Sequence, residues 1–223
     1  LATHSASKDP SERIKWPVAT LMDIADLPAG LSRTSDAAIC IRPVPTTVTE
    51  WLEMLDLRDL PEGRFILQAG KVAECVEDLF VQAGNAPSSE LSWLCEDLSR
   101  QAECLSAPAG ETILRLRVER ITNNACSKFH VDNVVSRLIC TYRGPGTQVA
   151  FAGSEANVLT VPMGMPILLK GKRWSSASPV QLHHRSPPIE GTGIIRLMTV
   201  LEAVTEQDLI PNYDRAYHNL NSL

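Results

Sequence analysis

The stretch CSKFHVDN, Cys126 to Asn133, holds a histidine and an aspartate two residues apart. In an extended segment such residues project to the same side. His130 and Asp132 can therefore reach one ion together, with Cys126 and Lys128 on their side and Phe129 and Val131 on the other. A neutral imidazole and a carboxylate are two of the three ligands of a 2-His-1-carboxylate site, which leaves positions open on Fe(II). His183 and His184, in VQLHHRSPP, can supply the third ligand from about fifty residues downstream. Neighbouring strand residues face opposite sides, so only one of them can join, and alternation alone does not choose. His4 and His218 lie in the terminal tails and are poor ligands. Short H-x-D matches also arise by chance, and a structural histidine near a turn would read the same.

Two further segments bear on the chemistry. Arg196, twelve residues after His184, stands in the apolar run GIIRLMTVLE. Burying its charge is costly without an anion, and a guanidinium fork suits a carboxylate ligand. An exposed arginine on an edge strand, or a salt bridge to Glu202, would also account for it. In CTYRGPGTQ, Gly144, Pro145 and Gly146 predict a tight turn. The strand before it puts Thr141 and Arg143 on one face and Cys140 and Tyr142 on the other, and a hairpin with exposed polar residues would account for them. Arg137 and Lys128 are further anion contacts to consider.

The elements that must position these residues can be read from periodicity. Residues 1–12 are polar, and residues 13–110 carry helices with some strand. AICIRPVP reads as a strand stopped by proline. TTVTEWLEML follows with a capping box from Thr47 or Thr49 to Glu50. Val72, Cys75, Val76, Leu79 and Phe80 recur at helical spacing, as do Leu91, Leu94, Cys95, Leu98 and Ala102 behind a Ser88 or Ser89 cap. These faces suit packing on a sheet, and a homodimer contact is the alternative use for them. From ETILRLRVERI onward the period becomes two. Short β-like runs (KFHVD, SRLICTYR, TQVAFAG, NVLTVPMG, PILLKG, VQLHHRS, GIIRLMTVLEAV) alternate with turn signals across residues 111–204, which suggests a sandwich or barrel. Residues 205–223 form a polar tail without a clear element.

Composition excludes several classes. The 223 residues are 44% hydrophobic and 21% charged, with a net charge of −5. That balance gives no footprint for nucleic acid or an anionic membrane, and the short LLKGKRW run reads as a solvated turn. No apolar run approaches a membrane span. The six cysteines form no C-x-x-C pair and fit reduced, buried positions, so a cytoplasmic protein is expected. There is no P-loop, no G-x-S-x-G elbow and no G-x-G-x-x-G after a strand.

The order His130-x-Asp132, a distant His184 and then Arg196 resembles Fe(II)- and 2-oxoglutarate-dependent dioxygenases of the cupin superfamily. Gly164, Gly171, His184 and Arg196 stand in matching places in MGMPILLKGKRW…LHHRSPP…GIIRLMTVLE. The motifs CSKFHVD, CTYRGPGT and HRSPP are also similar to those of an uncharacterised bacterial family, a numbered domain of unknown function. That second likeness favours His184 over His183, and its association with metal-handling GTPases implies metal biology. Together the resemblances imply an α+β fold, with N-terminal helices packed on a C-terminal double-stranded β-helix, the cupin-like jelly roll. They imply Fe(II) held by His130, Asp132 and His184, with 2-oxoglutarate as co-substrate held by Arg196, or by Arg143 or Tyr142. The expected activity is oxygenation of a small molecule or protein side chain. Two alternatives accompany it. One is a non-redox Zn(II) protein, which a Cys126 thiolate beside His130 would favour; the other is a partner protein that keeps the fold without the metal.

Overall fold

The computed structural model describes residues 16–106, 112–175 and 179–204, together with the backbone of 218–219. The strands are β1 (Val18–Leu21), β2 (Ala37–Cys40), β3 (Gly63–Gln68), β4 (Ile113–Ile121), β5 (Ser136–Arg143), β6 (Gln148–Phe151), β7 (Leu159–Thr160), β8 (Ile167–Lys170), β9 (Leu182–Arg185), β10 (Arg196–Ala203) and β11 (His218–Asn219). The helices are α1 (Leu27–Gly30), α2 (Thr46–Met54), α3 (Val72–Gln82) and α4 (Ser89–Cys104).

These strands form an eight-stranded sheet, in the order β1-β2-β8-β5-β10-β4-β3-β11, and a three-stranded sheet, β7-β6-β9. A β-bridge from His130 to His184 adds the CSKFHVDN stretch to the free side of β9. Period-two alternation sorts the large sheet into two faces. Leu114, Leu116, Val118, Leu138, Cys140, Tyr142, Leu197 and Leu201 pack under the helices. Ile121, Ile139, Met198 and Val200 face the other way, against Val149 and Leu182 of the small sheet. Odd positions of β4 and β5 and even positions of β10 thus point into the space between the sheets, where the candidate site lies.

Several elements differ from the sequence expectation. β1 and β3 are strands of the large sheet, although the sequence suggests a short helix or arm over IKWPVATLMDIADLPAG and nothing regular at GRFILQ; the short helix is α1, after β1. Strands and helices therefore interleave in the N-terminal part, and the sheet draws on both sides of residue 110. β1 is hidden from periodicity by its length of four residues, and β3 by an unremarkable alternation of Phe65 and Leu67. Helix α2 starts at Thr46 behind Pro45 with no side-chain cap, so the Thr–Glu50 box does not form. The Ser88 cap does form: its Oγ accepts from the Leu91 N–H at 3.1 Å. Phe129 and Val131 join neither apolar cluster; Phe129 lies beneath the Arg185 guanidinium, 4.3 Å from ring centroid to Cζ. The tails 1–12 and 205–223 lie outside the described residues, apart from the 218–219 pairing with β3. Among the described residues no helix is long and apolar enough to cross a membrane.

The Gly144-Pro145-Gly146 turn after β5 is fixed by close contacts. Gly144 has φ +77°, and a Cβ on Gly146 would fall 1.8 Å from the Val161 carbonyl oxygen. Gly146→Ala is expected to cost about 1–3 kcal/mol through backbone displacement, read as a lower midpoint in a denaturant melt. Gly70→Ala, with open space around it, should leave the midpoint within about 0.5 kcal/mol.

Candidate metal centre

The CSKFHVDN stretch and β9 are joined by two backbone hydrogen bonds. The His130 N–H donates to the His184 carbonyl at 3.0 Å, and the His184 N–H to the His130 carbonyl at 2.9 Å. This pairing sets the two residues opposite one another, and their ring centroids lie 4.5 Å apart. Asp132 follows on the same side. Its Oδ1 is 3.5 Å from His130 Nε2 and its Oδ2 is 2.9 Å from His184 Nε2. Among the described residues these three form the one group of metal-type ligand atoms within mutual reach, all within 4.8 Å of one another.

The second ring nitrogen of His130 fixes its tautomer. His130 Nδ1 lies 2.8 Å from the Lys128 carbonyl, which can only accept, so Nδ1 carries the proton and Nε2 turns its lone pair toward Asp132. When Nε2 is protonated it donates to Asp132, and that hydrogen bond raises the His130 pKa above the usual histidine value. His184 is 5% exposed, and burial lowers its pKa, which keeps it neutral. Burial would raise the Asp132 pKa, but the two imidazoles and the Arg137 guanidinium outweigh it and hold the carboxyl well below its usual range. With the proton removed from His130 Nε2, the set offers two imidazoles and a carboxylate.

Asp132 is held from behind by a buried chain of charges. Arg137 Nη1 lies 2.6 Å from Asp132 Oδ2, and Arg137 Nε donates to Glu202 Oε1 at 2.6 Å. Arg115 Nη1 donates to Glu202 Oε2 at 3.1 Å. Even so, Asp132 Oδ2 is buried and has no hydrogen bond of good angle. A buried carboxylate oxygen crowded by donors but not satisfied by them fits a cation that completes its coordination. The donor set and spacing fit a divalent transition metal with open positions.

Arg196 is fully buried. Its Nε donates to the Pro145 carbonyl at 2.7 Å, Nη1 to Ser186 Oγ at 3.0 Å and Nη2 to Thr141 Oγ1 at 3.3 Å. Burial pushes its pKa down to about 10, against the opposing pull of Glu119, so it stays charged at neutral pH. Neither sequence alternative for Arg196 is realised: it is not exposed, and Glu202 pairs with Arg115 and Arg137 instead. Ser186, two residues after His184, links the arginine to the candidate ligand group; the HRS spacing could have revealed it.

The structure takes the other two carboxylate candidates elsewhere. The Tyr142 hydroxyl, on the helix face of β5, donates to Asp97 Oδ2 at 2.6 Å and accepts from Gln101 Nε2 at 2.6 Å. Arg143 donates to the Leu55 carbonyl at 2.7 Å and pairs with Glu53 at 3.3 Å, next to α2. The irregularity where β10 shifts register between Leu197 and Met198 ends the alternation that put Arg143 beside Thr141. His183 turns toward Glu155, 4.0 Å away. Lys128 lines no part of the cavity. Cys126 is exposed in the left-handed region at φ +55° and stands outside the ligand group, which removes the thiolate argument for zinc.

A cavity of about 230 Å³ opens beside His130 and His184, floored by Ile139, Met198 and Val200. A larger open groove of about 1000 Å³, lined by Arg42 and Trp93 among others, includes none of the triad. Metal affinity should fall as pH drops through the raised His130 pKa, because proton and metal compete for Nε2. A slope approaching tenfold per pH unit below that pKa is expected in a competitive chelator titration with Zn(II) or Mn(II). His130→Ala and Asp132→Ala should each abolish stoichiometric binding.

Residues 22–202 match the model of a family described as a protein of unknown function, DUF1826. No curated protein matches the chain. Among solved structures, the Arabidopsis thaliana dioxygenase for auxin oxidation 1, a 2-oxoglutarate complex, is similar at 10% identity and TM-score 0.50, covering 87% of this chain and 94% of that one. The rice dioxygenase for auxin oxidation gives 13% identity and TM-score 0.49 over 87% and 85%. A full-length Neurospora crassa protein in complex with alpha-KG gives 11% and 0.43 over 91% and 88%. At 10% identity the likeness to the Arabidopsis enzyme is one of fold.

Proposed function

The chain belongs to the DUF1826 family, and from the geometry of its site we propose that it is an Fe(II)- and 2-oxoglutarate-dependent oxygenase acting on a small molecule or a protein side chain. The strand order supports a double-stranded β-helix. β4-β10-β5-β8 forms one layer, and the His130 segment, β9, β6 and β7 form the layer facing it. In this reading His130, Asp132 and His184 hold the metal from the edge of the second layer. When bound, Fe(II) would supply O2 activation coupled to the oxidative decarboxylation of 2-oxoglutarate.

The observation that carries the reading is Arg196: a fully buried cation whose contacts are a carbonyl and two hydroxyls, with no carboxylate in ion-pair reach among the described residues. A protein rarely buries a guanidinium against neutral acceptors alone, since the desolvation cost is several kcal/mol. Its side chain points between the two layers, and the far carboxylate of 2-oxoglutarate completes it, with Ser186 and Thr141 as hydroxyl donors. The turn Gly144-Pro145-Gly146 holds Arg196 in place through the Pro145 carbonyl. Ile139, Met198 and Val200 give the cavity beside His130 and His184 an apolar floor. Arg137, anchored on Glu202, fixes the Asp132 carboxylate in rotation.

Incubation with Fe(II), 2-oxoglutarate and O2 should give succinate at a rate that Asp132→Ala abolishes. Arg196→Gln should weaken 2-oxoglutarate binding about tenfold to a hundredfold, the equivalent of one charge-assisted bidentate contact. Zinc at one per chain with no affinity for 2-oxoglutarate would sink the reading.

A further inference from the structure

The same cavity carries a second cationic feature that neither the metal nor 2-oxoglutarate uses. Arg64 on β3 and Arg117 on β4 are direct cross-strand partners on the face opposite the helices. Like charges placed opposite each other destabilise a sheet unless an anion separates them. One carboxylate is present for both: Glu119, 3.1 Å from Arg64 Nη2 and 3.5 Å from Arg117 Nη1. Among the described residues this long contact is the only partner of Arg117. Its Nε is buried with no hydrogen bond, and its side chain is 19% exposed. Both arginines and Glu119 line the cavity that reaches His130 and His184.

We propose that Arg64 and Arg117 bind a carboxylate group of the substrate at the mouth of this cavity, so that the substrate is a small monocarboxylate. The class rests on the oxygenase reading; the anion site itself does not. Two guanidiniums and one carboxylate leave one positive charge, which a monoanion neutralises and a phosphate dianion would overshoot. A planar guanidinium with a free Nε presents the fork that accepts a carboxylate side-on. A volume of about 230 Å³ limits the substrate to a small molecule inside the site.

The test is calorimetric titration of the protein, without added metal, with propionate, phenylacetate and benzoate and with their neutral amides. At least one carboxylate should bind, with its amide at least tenfold weaker, and the binding should weaken with added salt. Arg117→Gln should reduce carboxylate affinity about tenfold or more while leaving 2-oxoglutarate affinity unchanged; Arg196→Gln should do the reverse. Arg117→Lys, which keeps the charge without the fork, should fall between. Should Arg117→Gln fail to fold, Arg64→Gln, on a side chain 40% exposed, gives the same comparison. The proposal is overturned if no carboxylate binds, if amides bind equally well, or if Arg117→Gln weakens 2-oxoglutarate as Arg196→Gln does. Carboxylate binding that depends on Arg117, in a protein with no affinity for 2-oxoglutarate, supports the anion site and sinks the oxygenase reading alone.

Discussion

Two backbone hydrogen bonds between His130 and His184 set the geometry on which the rest of the site depends. They clip an otherwise irregular stretch to the edge of β9 and place the two imidazoles side by side. Period-two geometry then delivers Asp132 to the same side, and the Arg137–Glu202–Arg115 chain holds its carboxylate from behind. Each charged member of that chain is buried with a partner of opposite sign, as burial requires. The site is therefore built from backbone pairing first and electrostatics second.

The cavity concentrates positive charge. Arg64, Arg117, Arg137 and Arg196 all turn into the space between the sheets or its mouth, opposed there by Glu119, Glu202 and Asp132. The whole chain is acidic, at −5, so this local excess is a property of one sheet face and is invisible to net charge. It is the feature that would draw the proposed anionic ligands to the candidate metal site.

Much of the site was legible in the sequence, because it depends on local spacing. His130 and Asp132 two apart, and Arg196 as a lone charge in an apolar strand, announce themselves. The choice between His183 and His184 was not open to alternation, because it depends on which face of β9 meets the His130 segment. Likewise Tyr142 and Arg143 looked suited to a carboxylate. The helix layer claims the first through Asp97 and Gln101, and a register shift against β10 frees the second toward α2. The Arg64–Arg117 pairing was equally hidden: β3 gave no strand signal, and cross-strand neighbours about fifty residues apart are set by register alone. The fold followed the same division. Helices α3 and α4 and the strands from β4 onward show in their periods, whereas four-residue β1 does not.

Anomalous diffraction from crystals soaked in Mn(II) at neutral pH tests the central claim most directly. The account predicts one peak bonded to His130 Nε2, His184 Nε2 and a carboxylate oxygen of Asp132, about 2.0–2.3 Å from each, with Arg137 still paired to Glu202. No peak at these residues, with Asp132 remaining closed on Arg137 and His184, would contradict it.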